Sequence, residues 1–183
     1  MTKNTIIMIS IIAALVIVFS ALMMIPITRS YITGVPLHFE GLDKVSTRAD
    51  ITKLYGKSTG KTLGGNELYD ASFLDVSGHV MVQYFDNSDR VLLVHFIIRA
   101  ADYESLSSYE SEVEKTQDYF NKVLSRLPKT EAKLPGGVCW KNAKEHINYD
   151  MYETAFYYDE SGEHFDGDGK VTVFQFNNTY SEE

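Results

Sequence analysis

The chain is short of the residues that staple or clasp a fold. It holds one cysteine, Cys139, in 183 residues, so no internal disulfide can form. A lone thiol of this kind either pairs between chains or serves as a small buried apolar group. The five histidines are His38, His79, His95, His146 and His164, and no two stand at the helical spacing of a zinc pair. No cofactor is expected. Positive charge is also scarce, with 17 Lys and Arg against 25 Asp and Glu and a net charge of −8. The first thirty residues hold Lys3 and Arg29 and no acid, so the rest carries 15 basic and 25 acidic side chains, a net of −10. Such a body repels phosphate backbones, which excludes nucleic acid as a partner, and it disfavours lying flat on anionic lipid.

Charge is missing altogether from Thr5 to Ile27, and the run from Ile6 to Phe19 is almost wholly aliphatic. A helix needs about 20 apolar residues to cover the ~30 Å hydrocarbon core. Residues 1–30 are therefore expected to form an N-terminal transmembrane helix, with residues 5–27 as the membrane contact. A removed signal peptide is the rival reading. Its apolar region would be about 7–15 residues long and end at a small-residue cleavage site; Val18-Phe19-Ser20 and Thr28-Arg29-Ser30 are the sites on offer. No cysteine follows the run, so a lipid-modified bacterial N-terminus is excluded. A buried core helix would carry a polar face, which this segment lacks. The short basic tail is expected to stay inside, placing the globular part outside the cytoplasm as a cell-membrane protein. The alternative keeps that part cytoplasmic within a membrane complex.

Residues 31–44 read as a linker broken by Gly34, Pro36 and Gly41, and residues 45–183 as the body. Thr47 and Asp50 have capping-box spacing, Ile51, Leu54 and Tyr55 share one face, and Gly56 ends that short helix. Strands are expected over 67–75, 79–85 and 91–99, with Asp86-Asn87-Ser88-Asp89 turning the last pair. The strand Val91–Ile98 is apolar at nearly every position, so both of its faces need cover. Leu106, Tyr109, Val113, Phe120, Val123, Leu124 and Leu127 form a stripe at helical spacing, which predicts a helix over 104–127, stopped by Pro128. Strands follow over 138–141, 148–158 and 171–177, the last two joined by a Gly/Asp-rich loop over 160–169. The fold class is α+β, an antiparallel sheet with helices. Two tandem helix-plus-three-strand units are expected over 45–100 and 104–178, because Lys61-Thr62-Leu63-Gly64-Gly65 is echoed by Lys133-Leu134-Pro135-Gly136-Gly137 and Val91–Phe96 by Val171–Phe176. Chance recurrence of aromatic strands and Gly-Gly turns is the competing explanation.

The stretch Val45-Ser46-Thr47-Arg48-Ala49-Asp50-Ile51-Thr52-Lys53-Leu54-Tyr55-Gly56-Lys57-Ser58 resembles the helical signature of small exported domains related to β-lactamase-inhibitor protein and to outer-membrane-assembly lipoproteins. In that signature a short helix ends in Leu-x-Gly-x-Pro and an antiparallel sheet follows, and the inhibitor family holds two such units in tandem. Here Ser58 stands where proline is usual, and there is no lipobox. The resemblance implies an α+β binding module and carries over no functional residue.

Catalytic motifs fail on spacing or context. Gly56-Lys57-Ser58-Thr59-Gly60-Lys61-Thr62 lacks the first glycine of a phosphate loop, because Tyr55 occupies its place, and a helix precedes it where a strand should. The pair Cys139-Trp140 lacks the distant histidine and asparagine of a papain-like site, since His146 and His164 are the only later histidines. Asp159, Glu163, Asp166 and Asp168 lie in an acidic Gly-rich loop but miss the closing glutamate of a calcium loop. They are the only candidate metal ligands. If Asn87-Ser88 centres its turn, His79 falls opposite Phe96 and His95 opposite Val80, which points the two imidazoles to opposite faces. The aromatic residues Phe73, Tyr84, Tyr149, Tyr152, Phe156 and Tyr158 are the candidate binding surface, since tyrosine supplies much interface energy. The expected function is non-catalytic binding at the envelope, with an envelope protein as partner. The alternative is a small hydrolase using carboxylates of the Asp159–Asp168 loop, which requires a concave pocket holding carboxylates of raised pKa.

Overall fold

The computed structural model describes residues 3–134, 136–165, 167 and 169–180. Helix α1 (Lys3–Met23) buries almost nothing. Its large side chains from Ile7 to Leu22 are between 42% and 67% exposed. The chain turns at Met24 and Ile25, and Pro26, which needs no N–H partner there, opens α2 (Pro26–Thr33) at about 100° to α1. Among the described residues no single helix is long and apolar enough to cross a membrane alone; Ile7–Met23 and Pro26–Thr33 meet that length and composition only as a bent pair.

The segment expected to be a linker packs into the body. Gly34 ends α2 in the left-handed conformation (φ 73°), its N–H donating to Ser30 O. A 3-10 turn over Leu37–Phe39 then drives Phe39 into the core, and Leu42 follows it. The Leu37 N–H donates to the Tyr119 hydroxyl at 3.2 Å, the Tyr31 and Tyr119 rings meet edge-on at 5.8 Å, and Arg29 pairs with Glu40 at 3.1 Å. Helix α2 is thereby held against the body.

Helix α3 (Arg48–Tyr55) starts on the capping box, the Asp50 carboxylate accepting from the Thr47 N–H at 2.8 Å. It buries Ile51 and ends at Gly56. Next come β1 (Gly60–Lys61), β2 (Glu67–Phe73), β3 (Val76–Tyr84) and β4 (Val91–Arg99). The first hairpin turns through Leu74 (φ 51°) and Asp75 (φ 64°), two residues earlier than the strand was expected to end. Helix α4 (Leu106–Val123) is capped by Ser105, whose hydroxyl accepts from the Ser108 N–H. It buries Tyr109, Thr116, Tyr119, Phe120 and Val123; of the other residues of the expected stripe, Leu124 is buried just past the helix, Val113 and Leu127 are half-buried and Leu106 is exposed. The remaining strands are β5 (Lys129–Glu131), β6 (Val138–Asn142), β7 (Ile147–Thr154), β8 (Phe156–Asp159), β9 (Gly162–Phe165) and β10 (Val171–Asn178). The long strand expected over 148–158 breaks at Ala155, and part of the expected loop is β9.

Eight strands form one antiparallel sheet in the order β1-β2-β3-β4-β10-β7-β6-β5, and β8 and β9 form a separate hairpin. The molecule is thus α+β with a large antiparallel sheet. Each half of the sheet has the same sequence of elements, a helix, a short edge strand, then three strands, and the halves meet where β4 pairs β10. One pair of that ladder, next to its middle, is His95 with Gln175. These residues are 80 apart, the offset that aligns Val91–Phe96 with Val171–Phe176.

One face of the sheet carries the main core. Val80, Val82, Val94, Phe96, Ile98, Phe174 and Phe176 point there, with Phe120 of α4 stacked on Phe174 at 4.8 Å. The Tyr109 hydroxyl meets Thr172 Oγ1 at 2.7 Å, which satisfies two buried polar groups at once. His38 sits in this core with its ring 4.4 Å from Phe96, and burial depresses its pKa to about 3. The other face carries a smaller cluster of Met81, Ile97, Val171 and Val173, covered by Tyr157 of the β8–β9 hairpin. Both faces of β4 are therefore covered, as its run of apolar residues required.

Candidate functional site

A β-bulge at Gln83/Tyr84 shifts the β3–β4 register by one. His79 pairs Ile97 and His95 pairs Met81, so the two imidazoles share the second face of the sheet, not the opposite faces expected. That shift places His95 in one continuous cross-strand row. Successive partners run Gly60, Leu68, Met81, His95, Gln175, Asp150, Cys139, Thr130, one from each of the eight strands. Directly paired residues project from the same face.

The row is apolar on one side of its centre and polar on the other. The β8–β9 hairpin lies over the apolar side. The Tyr158 ring is 6.2 Å from that of His95, the Arg99 guanidinium sits 4.4 Å above the Tyr157 ring, and the Glu160 carboxylate stands where a side chain on Gly60 would be. The polar side is uncovered and forms a groove of about 480 Å³, walled by Leu134, Lys133, Lys141 and Tyr152 with Cys139 and Asp150 on its floor.

Its hydrogen bonds form a relay. His95 Nε2 and Gln175 Oε1 are 2.9 Å apart, and Gln175 Nε2 donates to Asp150 Oδ2 at 3.2 Å. With the glutamine oxygen accepting, His95 carries its proton on Nε2. The Tyr152 hydroxyl also donates to Gln175 Oε1, at 3.4 Å. Burial pushes His95 down to about 4, against the Gln175 hydrogen bond, so the imidazole is neutral. Burial pushes the Cys139 thiol up to about 11, helped by its hydrogen bond to Asp150, which favours the protonated thiol at neutral pH. Burial also raises Asp150, opposed by the thiol and by the charges of Lys133 and Lys141. Three strand spacings, about 14 Å, separate His95 from Cys139, so they form no thiol–imidazole pair. The groove presents a carboxyl group held by neutral donors.

A second cluster lies toward the other end of this face. His79 Nδ1 is 3.3 Å from Asp70 Oδ1, and its Nε2 is 3.2 Å from Asp102 Oδ2. Burial would raise Asp102, but hydrogen bonds from His79 and Arg99 outweigh it and hold the carboxyl near 2. A cavity of about 610 Å³ adjoins this cluster, with Asp75 and Glu112 also on its wall.

The expected site residues scatter. Tyr149 is 1% exposed and Phe73 3%; both belong to the main core and offer no contact surface, because the pleat sends them to the helix-covered face. Tyr84 is half-buried, its hydroxyl donating to Glu67 at 2.8 Å and its ring 4.0 Å from the Arg48 guanidinium. Tyr152 lines the groove. Phe156 and Tyr158 are 47% and 37% exposed on the hairpin, where Phe165 joins Phe156 at 5.5 Å. Among the described residues no group of three His, Cys, Asp or Glu could hold a metal ion. Asp159 instead ties the hairpin turn, accepting from the Ser161 N–H at 2.8 Å and from its hydroxyl, and the hydroxyl bond chiefly lowers its pKa. Glu163 is exposed. Asp166 and Asp168 lie outside the described residues. Asp150, Gln175 and the two lysines escape sequence reasoning. The signal available was the polar alternation Asn148, Asp150, Tyr152 against buried Tyr149 and Met151. No family model, no curated protein and no solved structure matches this chain.

Proposed function

We propose that this chain is a membrane-tethered, non-catalytic binding module whose body faces the extracytoplasmic side and meets its partner with the second face of the sheet. The observation that carries the tether is the bare apolar surface of α1, which the body does not cover. A helix apolar on every side finds its cover in lipid. The right-angled bend then has a simple use, with α1 along the membrane normal and α2 in the plane at the headgroups. The grip of Tyr119, Leu37 and Glu40 on α2 fixes the body against the membrane surface instead of on a loose leash. Binding rather than catalysis is supported by the neutral thiol and neutral imidazole beside an unpaired carboxylate in the groove. Charge argues for a protein or small-molecule partner and against nucleic acid.

Flotation with neutral phosphatidylcholine vesicles tests the tether. The full chain floats with the vesicles at high salt, whereas Ile12→Arg with Val16→Asp sediments. A wild-type chain left at the bottom of the gradient refutes it. An impermeant maleimide should label Lys57→Cys on intact cells in a Cys139→Ser background; label appearing only after lysis places the body inside.

A further inference from the structure

The groove has a charge pattern that narrows what it can hold. Asp150 receives hydrogen bonds from Gln175 and Cys139, and among the described residues it has no ion pair with Lys or Arg within 4 Å. A partly buried carboxylate lacking a cation is costly unless a cation arrives. Lys133 and Lys141 both line the groove, near enough for their charges to act on Asp150. Neither makes an ion pair within 4 Å among the described residues. A simple cation entering here meets two lysines, and a simple anion meets Asp150 with Glu131 beside it. A ligand carrying both signs satisfies both sets. Leu134 and Tyr152 add an apolar wall, and about 480 Å³ lies within the ~300–1,000 Å³ of small-molecule sites.

We propose that the groove binds the zwitterion of a free amino acid or short peptide, its ammonium on Asp150, its carboxylate on Lys133 and Lys141, and an aliphatic side chain against Leu134 and Tyr152. The donors on Asp150 leave it an acceptor for the ammonium, and the thiol and Gln175 amide hold it in place. The half of the row that pairs with this one is filled by the chain's own hairpin, so only this half is open.

This inference rests on the proposed function only in treating the groove as a ligand site; flotation tests the tether, so either can fail alone. The test is calorimetric titration of the full chain in detergent micelles with L-leucine, L-leucyl-L-leucine, and the dipeptide either N-acetylated or C-amidated. The larger volume favours the free dipeptide over leucine, and saturation by leucine alone would assign the site to amino acids. Both blocked peptides should bind at least about tenfold more weakly than the free one. Asp150→Asn should erase the penalty for acetylation, and Lys133→Ala with Lys141→Ala, both on exposed side chains, should erase the penalty for amidation. The lysine variant keeps the test sound if Asp150→Asn fails to fold. Equal binding of free and blocked dipeptides overturns the proposal, as does the absence of binding by both zwitterions at millimolar concentration.

Discussion

Gly78 offers the sharpest test of the packing. It lies inside β3, opposite Ala71, at a backbone conformation open to any residue. What excludes a side chain is space. A Cβ there would stand 2.4 Å from Phe96 Cε2, 2.7 Å from Cζ and 2.9 Å from the Ile97 carbonyl oxygen. The ring has nowhere to go, since it is fully buried against His38 at 4.4 Å and Phe73 at 6.1 Å. Overpacking a tight core costs about 1–3 kcal/mol. Replacing glycine within a strand returns about 0.5–1 kcal/mol of backbone entropy. The net for Gly78→Ala is a loss of about 1–2 kcal/mol, a fall in Tm of about 2–8 °C for a domain of this size. Thermal and urea denaturation of the full chain in micelles, followed by circular dichroism, would measure it. The cause is checked on a Phe96→Leu background, where the cost of the added methyl should fall to the smaller part set by the Ile97 carbonyl, because the ring is gone. If Gly78→Ala is as stable as the parent, or if its full cost persists after Phe96→Leu, the approach of the Phe96 ring is not what fixes the glycine.

Glu67 is buried, and although burial raises its pKa, hydrogen bonds from the Tyr69 and Tyr84 hydroxyls and the charge of Arg48 hold it below the ordinary glutamate value. Its contribution is complete above the unfolded-state pKa and is lost as pH falls through the folded value, so Glu67→Gln should flatten the acid limb of urea midpoints measured from pH 6 to 3. Cys139 should react with iodoacetamide at pH 8 far more slowly than in the urea-unfolded chain, and Asp150→Asn, which removes a charge opposing the thiolate, should speed that reaction. The β2–β3 turn spends two non-glycine residues at positive φ; Leu74 packs against the core but Asp75 is exposed, so Asp75→Gly alone should stabilise the hairpin by about 0.5–1 kcal/mol in urea melts. Thr47→Ala removes the residue that opens α3 and should cost about 1 kcal/mol by the same assay.

Much of the chain could be read locally. Thr47 and Asp50 cap a helix through neighbouring atoms, the stripe from Tyr109 to Val123 needs only helical periodicity, and Val91–Arg99 declares a strand by composition. Less visible were features decided by contact. The turn at Leu74-Asp75 lacks glycine and asparagine, so nothing marked it. Residues 31–44 looked like a linker because Gly34, Pro36 and Gly41 break any regular pattern, yet Phe39 and Leu42 are core because the sheet and α4 leave a space for them. Tyr149 and Tyr152 are alike in sequence, and only the pleat sends one to the core and the other to the groove.

The sequence alone determined the α+β class, the antiparallel strands, the acidic body and the charge-free start, since each follows from side chains acting on near neighbours or on solvent. The row from Gly60 to Thr130 depended on the tertiary structure. A single extra residue in β4, Leu92, left without a partner where the register shifts, turns His95 toward Gln175 and Asp150. The side-chain period of a strand is two, so a slip of one residue changes which face every later side chain occupies, and no local pattern records that slip.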